Sequence, residues 1–547
     1  MATRIVPPSS PATRQAWAPL GHAVFRSLWI AGLASDFGSF MHEVGEGWLM
    51  TTLTSSPLSV AVLASADSLA IFLLAVPAGA LADVADRRRL AMVAQAWMLG
   101  TAALLGALTV THRMTPGLLI GLTFVMGIGA AVDGPLWQAI VSEVVPRRDL
   151  PQAVTLGGLS YNLARAFAPA LGGLVVAAAG PFAVFLLNAV TFLYTLVVLA
   201  RWRGVKQRST APAERWLGAM QGGLRYVRHS PELVAAFVRA GASLFGGICL
   251  MALLPLFARR SLGLGSSGFG VLLGCMGAGA VAAAVLLPRL QGKLSAEATL
   301  SAGTLIFAAA VVALALAHAP WLAGAVMAVA GLAWMAMISS LNVAVQMATP
   351  SWVRARVLSV FLLVFQGALA LGGVAWGALA ARTDLRVALA AGGAAVAASV
   401  VARVWFPLSG RVPDFSPAAW PKPQLVCEPP EDAGPVLVTT SFRVPAPNLA
   451  RFTRAAADLE RMRRRSGAYG WRLFRDPSTP DELVEVYLVD SWAEHMRQHE
   501  RLTAEEREAE KRLAALAVAG TEPVVHHLVA VDEDEQEEDD GGAGKGR

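Results

Sequence analysis

Ionisable residues stand inside runs that are otherwise almost wholly apolar. Asp36 and Glu43 lie in the first run, Asp67 midway along the second and Arg165 midway along the fifth. A charge held in a bilayer costs roughly 3 kcal/mol or more, so such a group faces a cavity, a pathway or a partner. Carboxylates in that setting can exchange protons, and an arginine can hold a substrate or pair with them. Asp36 and Glu43 are seven apart and share one helix face. His42, Glu43 and Glu46 sit nearer the outer face, where water reaches and a solvated cavity wall is the plainer expectation. Asp133, late in the fourth run, is expected to cap a helix or pair with Arg147 or Arg148.

A second constellation is Gly79-Ala80-Leu81-Ala82-Asp83-Val84-Ala85-Asp86-Arg87-Arg88-Arg89-Leu90. It packs carboxylates and three arginines into a tight turn between two membrane-length segments. The chemistry that suits it is a latch. Asp83 can meet the N-terminal end of a helix in another part of the bundle, whose dipole favours a carboxylate, while Arg87 and Arg88 pair with carboxylates near the same surface.

These residues need long apolar elements to position them. The chain has 547 residues, is 55% hydrophobic and only 15% charged, with a mean hydropathy of +0.53. About twelve runs are long enough to span a bilayer, over roughly 28–52, 57–82, 90–111, 116–138, 152–176, 181–201, 235–257, 268–288, 298–317, 320–343, 353–379 and 386–407. With both termini on the cytoplasmic side, the inner loops hold about three times as many Lys and Arg as the outer loops, which carry only Arg113, Arg259, Arg260, Arg382 and Arg386. The net charge of +6 is then a topology signal and an attraction to anionic lipid, not a nucleic-acid footprint. The N-terminus, residues 1–20, lacks a signal-peptide cleavage site and reads as a cytoplasmic tail. Cys249, Cys275 and Cys427 are scattered, which suggests neither a disulfide framework nor a metal site.

The runs divide six and six, as bundles over 21–201 and 235–407, around a polar linker over 202–234. The halves repeat weakly: Pro146-Arg147-Arg148-Asp149-Leu150 ends the fourth run and Pro350-Ser351-Trp352-Val353-Arg354 the tenth. Two related halves enclosing a midplane site are the signature of alternating-access transport. Within the linker, Trp216, Met220, Leu224 and Val227 recur at helical spacing, so a short amphipathic helix is expected. After a Pro-rich linker over 408–435, residues 436–531 read as a small soluble domain. Strands are expected over Val436–Val444, Ala468–Arg475, Glu482–Val489 and Val524–Val531, with helices over Pro447–Arg465 and Ser491–Leu516. The order βαββαβ predicts a ferredoxin-like sandwich. An acidic tail, 532–547, follows and is expected to be disordered.

The Gly79–Leu90 run resembles the loop between the second and third helices of the major facilitator superfamily, Gly-x-Leu-Ala-Asp-(basic)-x-Gly-Arg-(basic). Gly79, Leu81, Ala82, Asp83, Arg87 and Arg88 match; Val84 and Asp86 depart from it. Three further stretches, Gly45–Thr51 with Ser56-Pro57-Leu58, Trp137–Pro146 and Asn162–Gly173, resemble the enterobactin-exporter-like, transmembrane secretion effector branch. Pro169, Gly172 and Gly173 also resemble the fifth-helix motif of drug:proton antiporters, with Ala168 where that motif has glycine. The likeness covers roughly residues 20–407. It implies an all-α polytopic membrane protein with a twelve-helix (6+6) major facilitator fold, carrying here a small C-terminal α+β domain. It further implies a multi-pass inner (plasma) membrane exporter of a small molecule such as a siderophore or drug, driven by protons. The C-terminal domain resembles the antibiotic-biosynthesis monooxygenase fold through Trp492, His495, His499 and Glu500.

The expected partners are therefore a small-molecule substrate, protons and membrane lipid, without nucleic acid, and with dimerisation through the C-terminal domain. No cofactor, metal or catalytic residue is expected, and the chain is not read as an enzyme. His495 and His499 are i,i+4 and could bind a metal, but a surface helix face is the plainer reading, with His526 and His527 as the only other histidines that could approach. The alternatives are a nutrient importer or facilitator, against which the sparse Asn162, Gln346 and Gln366 speak, and a transporter fused to a cofactor-free oxygenase-like domain.

Overall fold

Apolar runs flanked by proline and small capping residues become helices whose ends are fixed locally. The structure, a computed structural model, describes residues 17–84, 86–202, 216–291, 294–408, 413–418, 420, 426–518 and 523–531. Residues 76, 80, 82–84, 216–221 and 290–291 are described by their backbone alone. The N-terminal six helices are α1 (Ala23–Leu53), α2 (Pro57–Val84), α3 (Arg87–Val110), α4 (Pro116–Val144), α5 (Leu150–Ala179) and α6 (Pro181–Arg201). A short α7 (Trp216–Arg228) follows, where the linker periodicity places a helix. The second six are α8 (Pro231–Arg260), α9 (Ser266–Gln291), α10 (Ala296–Leu316), α11 (Pro320–Met347), α12 (Arg354–Arg382) and α13 (Leu385–Ser399), the last continuing as 3-10 turns through Val404.

Proline opens several of these helices, where its missing N–H costs nothing. Thr115, Ser295 and Asp86 accept from the backbone N–H groups of Leu118, Ala298 and Arg89 and so cap α4, α10 and α3. Eleven helices among the described residues are long and apolar enough to cross a membrane. The twelfth, α1, has the length, 31 residues, but its charged and polar side chains lower its hydropathy. Large apolar side chains such as Leu73, Val93, Leu174, Val190 and Leu371 stay exposed along the helices, a surface suited to hydrocarbon rather than water.

The molecule divides into two compact units. The first holds most of the helical bundle, including the contacts between its halves. Several helix pairs join them, three of which show how. At the α5–α9 crossing, Ala166, Ala170 and Gly173 face Gly277, Gly274 and Gly270 backbone to backbone, the small-residue packing that brings membrane helices together. Between α2 and α12, Gly373 and Gly377 lie against Ser65, Ala61 and Leu58. Between α1 and α8, Arg259 donates to the Thr51 carbonyl oxygen and its guanidinium lies 5.9 Å from the Trp48 ring centroid.

One ion pair of this unit escaped the sequence reading. Arg239 on α8, 2% exposed, donates to Glu297 at the start of α10. Glu297 also accepts from Ser301 at 2.8 Å and from the Leu408 N–H at 2.9 Å. Breaking a buried pair costs about 3–5 kcal/mol because the survivor keeps an uncompensated charge. Arg239→Ala is therefore expected to lower the melting temperature in detergent markedly, with Arg239→Lys recovering part of the loss.

The second unit contains most of α7, the stretch 344–360, and the C-terminal domain. That domain has β1 (Val436–Arg443), α14 (Leu449–Arg465), β2 (Tyr469–Arg475), β3 (Glu482–Val489), α15 (Trp492–Arg501), α16 (Ala504–Ala514) and β4 (Val524–Val529). Its strands form one antiparallel sheet in the order β2-β3-β1-β4, the ferredoxin-like arrangement. Strict alternation along β1 and β3 puts Val436, Val438, Phe442, Leu483, Tyr487 and Val489 on the face that the helices cover. Expected as one helix, Ser491–Leu516 is two. Leu502 leaves the helical conformation, and Thr503 starts a new helix with a capping box to Glu506. Its signature, Thr503-Ala504-Glu505-Glu506, stands in the sequence. Within this unit Tyr226 and Trp352 meet edge to face at 5.6 Å, Arg501 lies 4.5 Å from the Trp352 ring centroid, and Arg465 lies 5.7 Å from that of Tyr226.

Candidate functional site

The ionisable residues of α1, α2 and α5 converge. Glu43 is within electrostatic reach of Asp67, Glu46 and Arg165. Asp67, on α2, is in reach of Glu46 and His42. Its carboxylate fits because α4 carries Gly127, where a Cβ would stand 2.8 Å from Asp67 Oδ1. Asp36 accepts a 3.3 Å hydrogen bond from Ser160 Oγ on α5. Glu43 is exposed, yet its neighbours are bundle-facing charges, so what it is exposed to is the interior of the bundle rather than its outer wall.

Sequence reasoning missed the residue at the centre. Tyr161 is in electrostatic reach of Arg165, Glu43, Asp36 and Asp67 together, and its ring stacks edge-on to Phe40 at 5.3 Å. It lies one turn before Arg165 on α5, so the i,i+4 relation was the available signal. Arg165 itself sits at the edge of the α5–α9 crossing, where its carbonyl oxygen lies 2.7 Å from the place a Gly277 Cβ would take.

His42 and Glu46 are not the solvated wall expected of them. Both are buried. His42 Nε2 and Glu46 Oε1 are 3.0 Å apart, and Thr123 Oγ1 donates to the same carboxylate oxygen at 2.7 Å. Their place on the inward face of α1, towards α4 and α6, withdraws them from water. Asp133 likewise departs from expectation. It accepts from Gln95 Nε2 at 3.0 Å on the neighbouring α3, because it points across the α3–α4 contact rather than along its own helix towards Arg147 or Arg148.

The turn between α2 and α3 is held within its own half. Arg87 donates to Glu143 near the end of α4 at 2.6 Å, so it does meet a carboxylate. Among the described residues Arg88 pairs with no carboxylate. It donates to the carbonyl oxygens of Leu199 and Ala200, at 2.9 and 2.6 Å, and so caps the C-terminus of α6, whose last carbonyls lack helical partners. Asp86, where the resembled motif has glycine, caps α3. A Cβ at Gly79 would meet nothing within 4 Å. The side chain of Asp83 lies outside the described residues. In α5, a Cβ on Gly172 would stand 2.9 Å from the Met41 Cα, and one on Gly173 would stand 2.6 Å from the Ser266 carbonyl oxygen; the Pro169 carbonyl oxygen faces Gly270.

The histidines of the C-terminal domain do not form a surface face. His495 is 1% exposed, because α15 turns this side onto the sheet, where His527 of β4 joins it. Burial, with His499, His527 and Arg463 nearby, pushes His495 down to about 3. Burial, with His527 and Arg463, pushes His499 down to about 4. Both rings are neutral at pH 7.

A sequence match over residues 14–536, nearly the whole chain, is to the family described as transmembrane secretion effector. The chain belongs to this family of major facilitator transporters. It is a multi-pass membrane protein of a transporter family. Among curated relatives, the family member is 23% identical over 254 residues to the staphyloferrin A transporter of Staphylococcus aureus, covering 46% of this chain and 64% of that one. It is 26% identical over 221 residues to the multidrug efflux pump Tap of Mycolicibacterium fortuitum, covering 37% and 52%. The chain thus spans about half to just under two thirds of these relatives' lengths. Among solved structures, a bacterial homologue of the human lysosomal transporter Spinster matches 72% of this chain and 96% of its own, with a TM-score of 0.56 and 15% identity. A POT family transporter matches 71% and 96%, with a TM-score of 0.59 and 14% identity. At such identities the shared property is the fold.

Proposed function

We propose that this protein exports a small amphipathic molecule across the inner (plasma) membrane in exchange for protons, by alternating access, with both termini in the cytoplasm. The observation that carries this reading is the charge balance of the bundle interior. Among the described residues, Asp36, Glu43, Glu46 and Asp67 share one region with two basic side chains, Arg165 and His42, so the acids are in excess. Carboxylates left without a counter-charge away from water are neutralised by a proton or by a cation that displaces it. Competition between the two for the same carboxylates is the simplest form of exchange. The relatives named above, a staphyloferrin A transporter and a multidrug efflux pump, support a small-molecule cargo. The surplus of acid favours a cationic or zwitterionic cargo over an ionised chelator.

In this reading Tyr161 and Arg165 position the carboxylates, and the packing of Pro169, Gly172 and Gly173 lets α5 shift against α1 and α9. The α2–α3 turn, with Gly79, Asp83, Arg87 and Arg88, moves as one piece with α4 and α6 and gates the cytoplasmic side. The reading is tested by uptake into everted membrane vesicles of a lipophilic cation and of an anionic chelator. Accumulation of the cation that collapses with the pH gradient is the expected result. Gradient-independent movement, or selective uptake of the anion, would overturn it.

A further inference from the structure

Three imidazoles that sequence spacing alone did not unite meet inside the C-terminal domain. His495 and His499 project from one side of α15, and His527 projects from β4. Their ligand nitrogens all lie within 4.8 Å of one another. The Nε2 atoms of His495 and His499 are 3.2 Å apart. Two nitrogens bound to one tetrahedral ion at about 2.0–2.1 Å stand about 3.3 Å apart, so the pair is already at ligand spacing. The His527 nitrogen, within 4.8 Å of both, has to draw closer to reach the same spacing.

Hydrogen bonding within the domain does not account for this cluster. Two neutral rings facing each other through Nε2 can share one proton, and among the described residues the Nδ1 atoms of both His495 and His499 are buried without a hydrogen-bond partner. An unsatisfied buried polar atom costs roughly 1–3 kcal/mol, an unusual expense to incur twice side by side in a small sheet domain. The cluster also opens onto space. A cavity of about 640 Å³ lies between the helices and the sheet, lined by His495, His499 and His527 together with Arg463, Arg507 and Lys511. Arg463 is anchored there by Glu485 and Glu510, at 3.3 and 2.9 Å.

We propose that His495, His499 and His527 bind a divalent first-row transition metal ion, with one coordination position left open to this cavity. Neutral imidazoles suit such ions. Three protein ligands and an open position are the pattern of sites that take an exchangeable fourth ligand. Arg463, Arg507 and Lys511 outnumber the lining carboxylate Glu510, which favours an anionic oxygen donor in that position.

The test uses the full chain, purified in detergent without a polyhistidine tag, and Co²⁺ as the probe. The expected result is one tightly bound Co²⁺ per chain with a visible ligand-field band, and a change in that band on adding acetohydroxamate. Loss of groups that merely orient a ligand costs 10–100-fold in affinity, so His527→Ala, which removes a ligand outright, is expected to weaken binding at least about 100-fold. His499→Gln serves as a second ligand variant. His526→Ala alters the neighbouring strand residue, which is absent from the cavity lining, and leaves binding unchanged. Absence of a Co²⁺ band in the wild type, or equal losses in the His526→Ala and His527→Ala proteins, would overturn the assignment.

Discussion

Asp67→Asn is expected to abolish pH-gradient-driven accumulation in everted vesicles while leaving exchange of labelled for unlabelled substrate intact. Asparagine keeps the size and most of the hydrogen bonding of aspartate, so the pocket opposite Gly127 stays filled. What disappears is the charge shared among Glu43, Glu46 and His42. Without it the substrate can still cross, but the proton no longer competes with it at this carboxylate. Coupling between two ligands is typically worth 1–3 kcal/mol, so the driven accumulation ratio should fall by roughly 5- to 150-fold. Glu43→Gln should behave similarly, since Glu43 is within electrostatic reach of Asp67 itself. Arg165→Gln should differ, lowering folded yield as well as transport, because it strands several carboxylates at once. Driven accumulation that survives Asp67→Asn would move the coupling site elsewhere.

Gly270→Val is expected to be still more damaging. A Cβ at residue 270 would stand 2.6 Å from the Pro169 carbonyl oxygen and 2.8 Å from the Gly173 Cα. Both are backbone atoms of α5, so no side-chain rotation can relieve the clash and the two halves must part. Overpacking costs about 1–3 kcal/mol where side chains can yield, and more where they cannot. Melting temperature and folded yield in detergent should both drop steeply, with no transport. Gly121→Ala is the matched control. Nothing lies within 4 Å of its would-be Cβ, and alanine favours a helix over glycine by about 0.8–1.0 kcal/mol. Equal melting of the two variants would mean that the α5–α9 crossing does not hold the halves together.

Both outcomes depend on features with different visibility in the sequence. The twelve helices were legible because hydropathy is summed over some twenty residues and survives local exceptions, even the charges of α1. The βαββαβ order was legible from alternation and turn chemistry, whereas the break at Leu502–Thr503 was overlooked although its capping box is written in four consecutive residues. Charged residues in apolar runs pointed to Asp36, Glu43, Asp67 and Arg165 one by one. Their meeting point was not visible, since it depends on how α1, α2 and α5 rotate against each other. Tyr161, neither charged nor rare in membrane helices, carried no signal until Arg165 was placed beside it. Arg239 and Glu297 lie 58 residues apart, and His527 follows His499 by a helix and a connection, so neither partnership could be read from spacing. Arg88 was misjudged for a related reason: a cation near carboxylates in sequence can find helix-end carbonyls in space.

The most direct test of proton exchange at the α1–α2–α5 carboxylates is proton release on binding. Purified protein in weakly buffered detergent solution is titrated with tetraphenylphosphonium while a pH indicator is followed. Binding should release protons from the wild type, and Asp67→Asn should bind the cation with less release. Binding of the cation with no proton release from the wild type would contradict the exchange of protons for substrate at these carboxylates.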